Sequence, residues 1–263
     1  MTTLPKIKVL ATGGTIAGSS ASSTEMTGYQ AGTLGVDLLL SAVPEIQKIV
    51  DISGEQISEI DSCNMTEEIW FKLANKLNAL LADDEITGVV ITHGTDTMEE
   101  TAYFLNLVLN SSKPVVLVGA MRPATAISAD GPLNLLNAVK IAIHPDSIGQ
   151  GVLVTMNDEI HSARDVTKTN TFMVNTFKAT ELGILGYIIN GEVKYYRATT
   201  RKHTTNVDLP LEHITELPQV EIIYAHANQN RILIDAAVKS GAKGIIYAGM
   251  GNGSIHCNAE AAL

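Results

Sequence analysis

Three segments of this chain are apolar, β-branched runs without polar alternation: Gly88–His93 (GVVITH), Pro114–Gly119 (PVVLVG) and Gly151–Met156 (GVLVTM). A strand with one wet face alternates polar and apolar residues, whereas an unbroken run suits a strand covered on both faces, as in a parallel sheet. Amphipathic stretches separate the runs: Met98–Leu109, and Pro132–Ile143 with proline at its start, where a missing N–H is tolerated. Strand, helix, strand in this rhythm implies a layered α/β sheet with right-handed βαβ crossovers.

The flanking sequence extends the pattern. Ile7–Thr12 reads as a buried strand ending in Gly13-Gly14, and Leu34–Val43 as a short helix stopped before Pro44. Thr66 is a good N-cap, followed by Glu67 and Glu68 in the first turn. Behind it Ile69, Leu73, Leu77, Leu80 and Leu81 form one apolar helical stripe that ends at Asp83-Asp84. Asn190-Gly191 inside Ile184–Tyr196 is a hairpin signal. Arg197–Pro218 loses periodicity, carries Pro210 and the basic Arg201-Lys202-His203, and reads as a linker. Strand Val220–Ala225, helix Ile232–Ser240 and strand Gly244–Ala248 follow. The expected class is α/β: a larger N-terminal domain (1–196) with a mainly parallel layered sheet, a linker (197–218), and a smaller α/β domain (219–263). About 45 residues is small for an independent core, so the second piece reads as incomplete or dependent on a partner.

The formal net charge is −10, and no run of Lys or Arg occurs. That argues against nucleic acid or an anionic membrane as the main partner. No stretch reaches the roughly 18 apolar residues of a membrane span. The apolar run after Lys6 is too short for a signal-peptide core, which implies a cytoplasmic chain, or a periplasmic one numbered after removal of a leader. Cys63 and Cys257 lie in no metal or redox spacing and read as two buried thiols in a reducing compartment. The seven His form no H-E-x-x-H or Cys/His cluster, so no metal site is expected. A phosphate loop is excluded at Gly13-Gly14, which lacks the following Lys-Ser/Thr and any G-x-G-x-x-G register.

Two sites repeat one local device. Strand Val9–Ala11 runs into Thr12-Gly13-Gly14-Thr15, and strand Val90–Thr92 into His93-Gly94-Thr95-Asp96. Glycine turns the chain sharply at the strand's carboxyl end, and a threonine hydroxyl follows. If the strands are close in the sheet, both hydroxyls face one crevice. The plain alternative is a turn followed by a helix N-cap. Threonine becomes a nucleophile only when a base takes its proton or a cation stabilises the alkoxide. Tyr29, Asp96 and Lys168 are the candidate partners; alone, Lys168 reads as a solvated side chain and Tyr29 as a surface or core aromatic. The Gly- and Ser-rich Gly18–Gly32 reads as a lid carrying Tyr29, or as a plain solvent loop.

Ala11–Gly18 (ATGGTIAG) and Ile91–Glu100 (ITHGTDTMEE) are similar to the two signature motifs of bacterial L-asparaginases. Gly119–Pro123, Ser128–Pro132, Lys168–Asn170 and Ala248–Gly253 match further motifs in order, and Asn157–His161 resembles the type II branch. The resemblance implies hydrolysis of L-asparagine to L-aspartate and ammonia through an acyl-enzyme, some glutaminase activity, and no cofactor. Carried over position by position, it implies Thr15 as nucleophile with Tyr29 as its proton-handling partner, and Thr95, Asp96 and Lys168 as a second triad. It also implies substrate contacts from Ser62, Cys63, Thr95, Asp96, Ala120 and Ser254. Cys63 stands where many relatives carry Gln or Glu, and Ser254 where many carry Asn. Relatives continue past Leu263, and the acidic residue they lend to the adjacent subunit's pocket has no counterpart here. The expectation is therefore a shortened chain with exposed apolar surface and an impaired homotetramer, the alternative function being a weakly active or non-catalytic amino-acid binder. An amidase fed by a partner-bound substrate would need an appended partner-binding domain. Gel filtration checks the assembly: a stable, fully active tetramer of the 263-residue species contradicts the expected impairment.

Overall fold

The apolar runs form the middle of an eight-stranded sheet. Our computed structural model describes residues 4–20, 22–24, 30–207, 209, 211, 214 and 216–263. The strands in chain order are β1 (Lys6–Gly13), β2 (Asp51–Ile60), β3 (Ile86–Thr92), β4 (Val115–Val118), β5 (Val152–Met156), β6 (Glu159–Ser162), β7 (Thr167–Lys168), β8 (Phe177–Lys178), β9 (Gly186–Ile189) and β10 (Glu192–Tyr195). The spatial order is β10-β9-β6-β5-β4-β3-β1-β2, with β7 and β8 paired separately as a short antiparallel ribbon. Strands β2, β1, β3, β4 and β5 are parallel. Strands β6, β9 and β10 extend the sheet antiparallel.

Helices α1 (Val36–Ser41), α2 (Glu67–Leu81), α3 (Met98–Val108) and α4 (Gly131–Ala142) cover both faces. On one face Val9, Val90, Val116 and Val118 pack under Leu39 of α1 and Leu135 and Ala138 of α4. On the other, Leu10, Val89, Ile91 and Leu117 pack under Leu73 and Leu77 of α2 and Ala102 and Leu105 of α3. The central strands are thus buried on both sides, as their composition demanded. Thr66 caps α2, its side chain accepting from the Ile69 N–H.

The uniformly right-handed expectation fails at one crossover. The chain advances from β3 to β4 to β5 in one direction across the sheet, yet α3 and α4 lie on opposite faces. Two successive crossovers with that geometry have opposite hands. The crossovers through α1, α2 and α3 share one hand, which the strong chirality preference makes right-handed, so β4–α4–β5 is left-handed. The reversal lays α4 over β3 and β4 on the face shared with α1.

Strand β2 carries no continuous apolar run because it is an edge strand whose positions are mostly half-buried or exposed, with Ile57 buried. Two tight turns of the extension use left-handed residues: Asn190 and Gly191 join β9 to β10, as the sequence indicates, and Asn157 and Asp158 join β5 to β6. Both cysteines are exposed free thiols, correcting the expectation of buried ones. Cys63 sits in the turn after β2, and Cys257 opens a four-residue helix, α6 (Cys257–Glu260). Within 197–218, His203, Thr204 and Leu211 are buried.

The chain divides into two compact units, Met1–Glu212 and His213–Leu263. In the second, β11 (Val220–Tyr224) and β12 (Gly244–Ala248) form a two-stranded parallel sheet, with α5 (Ile232–Ser240) and α6 completing the unit. Its small core is built on Ile223, Ile234, Ala237 and Ala259. Ile222, Tyr224 and Ile246, which alternate with the core-facing strand residues, are exposed. Among the described residues, no helix is long and apolar enough to cross a membrane.

Candidate active site

The strand order turns around between β1 and β3: the chain leaves β1 for β2 on one side and later enters β3 on the other. Loops diverging from the carboxyl ends of such a pair open the crevice where ligands bind in open α/β sheets. Thr15 follows β1, and Thr95 with Asp96 follows β3.

Glycine makes the junction. Gly13 and Gly14 have φ of 109° and 80°, a region costly for residues with a Cβ. A Cβ on Gly14 would lie 2.3 Å from both Cα and N of Gly94, so the two loops meet backbone to backbone. The Gly14 N–H donates to the Ile60 carbonyl at 2.9 Å, tying the same turn to the end of β2. Thr15 is then buried at the start of a single 3-10 turn, and Thr95 is buried as well.

Lys168, brought in by the β7–β8 ribbon, reaches the second loop. Its Nζ donates to Thr95 Oγ1 at 2.9 Å and to Asp96 Oδ1 at 2.6 Å. The Lys168 side chain is 16% exposed and that of Asp96 54%, so the cation is enclosed while the carboxylate keeps an open side. An ammonium donating to Thr95 steers the threonine proton away from itself and stabilises negative charge on that oxygen. Buried Ser62, in the turn after β2, accepts the Asp96 N–H on Oγ at 3.1 Å, while its carbonyl accepts Thr97 Oγ1 at 2.8 Å. Ala120, fully buried, follows β4. A Cβ on neighbouring Gly119 would lie 2.8 Å from the His93 carbonyl oxygen and 3.1 Å from Thr95 Cγ2.

The structure therefore brings together Thr95, Asp96, Lys168 and Ser62 through direct contacts, sets the Thr15 turn against Gly94, and places Ala120 one residue past a glycine packed on Thr95. Cys63 adjoins Ser62 in sequence and is exposed. Ser254 belongs to the second unit, where it pairs with Met250. Tyr29 lies outside the described residues. Among the described residues, no group of three or more His, Cys, Asp or Glu is placed to hold a metal.

Several supporting residues escaped the sequence reading. His93 Nδ1 lies 2.7 Å from the Gly94 carbonyl oxygen, which only accepts, so Nδ1 carries the ring proton. Nε2 then accepts from Thr101 Oγ1 at 2.9 Å, and Thr101 accepts from Trp70 Nε1 at 2.8 Å. This directed chain pins the Gly94 carbonyl, and with it the Gly94–Thr95 peptide, to α2 and α3. Burial pushes His93 down to about 4, so the ring is neutral near pH 7. Asp130, at the start of α4, accepts the Met121 and Arg122 N–H groups, each at 2.9 Å. Asn134 donates to the Gly119 carbonyl at 3.1 Å and accepts the Asn157 N–H at 3.2 Å. These residues fix the backbone around Ala120. His93 and Asp130 were visible only as members of motifs, and Trp70, Thr101 and Asn134 carried no signal, since each supports a peptide group rather than reacting.

Two family models match: Asparaginase, N-terminal, over residues 6–201, and Glutaminase/Asparaginase C-terminal domain over 219–263. The chain belongs to the asparaginase family. It is 55% identical over 257 residues to L-asparaginase 2 of Bacillus subtilis (strain 168), covering 98% of this chain and 68% of that relative. A probable periplasmic L-asparaginase of Haemophilus influenzae is 53% identical over 253 residues, covering 96% of this chain and 72% of that relative. The crystal structure of a probable cytoplasmic L-asparaginase from Campylobacter jejuni superposes with a TM-score of 0.96 at 50% identity, over 98% of this chain and 79% of that one. Asparaginase relatives thus carry names from both compartments.

Two expectations follow for this asparaginase site. Gly14→Ala places a methyl group inside the Gly94 backbone at a left-handed φ, so it should separate the two loops; loss of ammonia release from asparagine with a lowered unfolding temperature is the expected readout, and wild-type values would refute the contact. His93 acts through pH. An unfolded imidazole protonates below about pH 6.5, whereas the buried ring resists until about 4. Folding stability should therefore fall as pH drops from 6.5 to 4, by up to about 3 kcal/mol from this residue. In urea titrations His93→Gln should flatten that slope; an unaltered slope counts against the assignment.

Proposed function

We propose that this chain hydrolyses the side-chain amide of L-asparagine to L-aspartate and ammonia, with L-glutamine as a side substrate. The relatives' names support the substrate class. The observation that carries the reading is the Gly14–Gly94 backbone contact, which holds the Thr15 turn against the loop bearing Thr95 and Asp96.

In this reading Thr15 Oγ attacks the amide carbon, with Tyr29 taking its proton. The resulting oxyanion is met by the Ala120 and Thr95 backbone N–H groups, preorganised donors that need no rearrangement as charge develops. Tyr29 passes that proton to the amide nitrogen, and collapse of the intermediate breaks the C–N bond, expelling ammonia and leaving an aspartyl ester on Thr15. Water, oriented by Thr95 under the polarising Lys168 ammonium, then attacks the ester, releasing aspartate and restoring the hydroxyl. Asparagine arrives as a zwitterion. Asp96 uses Oδ1 for Lys168, leaving Oδ2 and its exposed side for the α-ammonium, while the Ser62 hydroxyl donates to the α-carboxylate. By the resemblance Cys63 also stands at a substrate-contact position, where its thiol is only a weak donor and acceptor.

Ammonia release from both amino acids by wild type, Thr15→Ala and Thr95→Val tests the proposal. Each substitution should lower kcat for asparagine by at least about 10³-fold with the fold retained. Normal turnover by Thr15→Ala removes the nucleophile assignment; normal turnover by Thr95→Val reduces the second triad to a structural role. Asparagine binding without ammonia release from wild type would favour an amino-acid binder.

A further inference from the structure

Lys168 has a four-carbon stem, so the position of its ammonium depends on where its backbone is held. That backbone lies in a two-residue strand outside the main sheet, whose partner strand is seated in the core by Phe177. The contact that registers β7 against the Thr95–Asp96 loop comes from Glu99, in the first turn of α3 and three residues beyond Asp96. Glu99 Oε2 accepts the Lys168 backbone N–H at 2.5 Å, and Oε1 accepts the Thr167 hydroxyl at 2.9 Å. The same loop-helix segment therefore grips one lysine twice, by its ammonium through Thr95 and Asp96 and by its main chain through Glu99. We propose that Glu99 is a positioning residue for Lys168, setting the distance from the ammonium to Thr95. The proposal rests on the reading of Thr95, Asp96 and Lys168 as a working triad.

The geometry separates position from charge. Both Glu99 oxygens are committed to neutral donors rather than to the Lys168 ammonium. Glutamine can keep both contacts: its carbonyl accepts the Lys168 N–H, and its amide donates to the Thr167 oxygen. Alanine keeps neither, and aspartate is one methylene short.

The experiment compares full-length wild type, Glu99→Ala, Glu99→Gln, Lys168→Met and the double variant Glu99→Ala/Lys168→Met. Steady-state asparagine hydrolysis is measured together with the rate at which an amine-reactive acylating reagent labels Lys168, followed by peptide mass spectrometry. Glu99→Ala should lower kcat about 10–100-fold, the usual scale for a lost orienting partner, with KM within about twofold. It should also raise Lys168 labelling severalfold. Glu99→Gln should recover both readouts to within about threefold of wild type, and Glu99→Ala should cost nothing further in the Lys168→Met background. A purely structural role for Glu99 predicts additive losses and no change in labelling. If Glu99→Ala fails to fold by circular dichroism, Glu99→Asp takes its place with the same expectations. Wild-type kcat and labelling in the alanine or aspartate variant overturn the proposal while leaving the triad reading intact. Full activity of Lys168→Met overturns the triad reading instead, and labelling then still reports whether Glu99 holds the lysine.

Discussion

Everything at the crevice depends on two peptide backbones meeting at Gly14 and Gly94 with no side chain between them. A parallel sheet spaces neighbouring strands by about 4.8 Å, but loops leaving the strands usually diverge at once. Here the first loop doubles back through two left-handed glycines, so the turn carrying Thr15 stays against the loop carrying Thr95. Sheet order supplies the neighbourhood, and glycine converts neighbourhood into contact. A methyl group on Gly14 would force the loops apart, and one on Gly94 would strike Ser62 in the turn after β2.

The loops so joined are held by polar groups that do not face the crevice. His93 anchors the Gly94 carbonyl through Thr101 and Trp70, and Asp130 and Asn134 anchor the Gly119–Arg122 backbone. In each case a side chain satisfies a peptide group that leaves the sheet without a ladder partner: Asp130 and Asn134 from the start of α4, and His93 from the loop after β3, backed by α2 and α3. Such groups are expensive to bury unpaired. One set of hydrogen bonds therefore serves both folding and site geometry: the bonds that make the loops tolerable inside the protein also fix where their backbones lie.

Legibility followed burial and chemistry. The central strands were readable because double-sided burial leaves a β-branched signature, as at Val89–Thr92 and Val115–Val118. The α2 helix announced itself by its cap and stripe. Edge strand β2 and the antiparallel β6 were not legible, since partly exposed strands carry mixed sequence and β6 is four residues long. The crossover hand is a property of which face α4 covers, and α4 is apolar enough to suit either. At the site, the strand-glycine-threonine device made Thr15 and Thr95 visible. The Lys168–Asp96 pair spans 72 positions, and no local pattern encodes it; family resemblance supplied that link. Glu99 and His93 stayed hidden for a related reason, as their work is done on main-chain atoms.

The left-handed β4–α4–β5 passage has an evolutionary corollary. Nearly all βαβ crossovers in such sheets share one hand, so one module packs on a sheet much as another does. A right-handed replacement would carry its helix to the other side of the sheet, leaving Val90, Val116 and Val118 uncovered and the Met121 and Arg122 N–H groups without their carboxylate. A module of the common hand therefore cannot take the place of this stretch unless that face of the sheet is rebuilt with it.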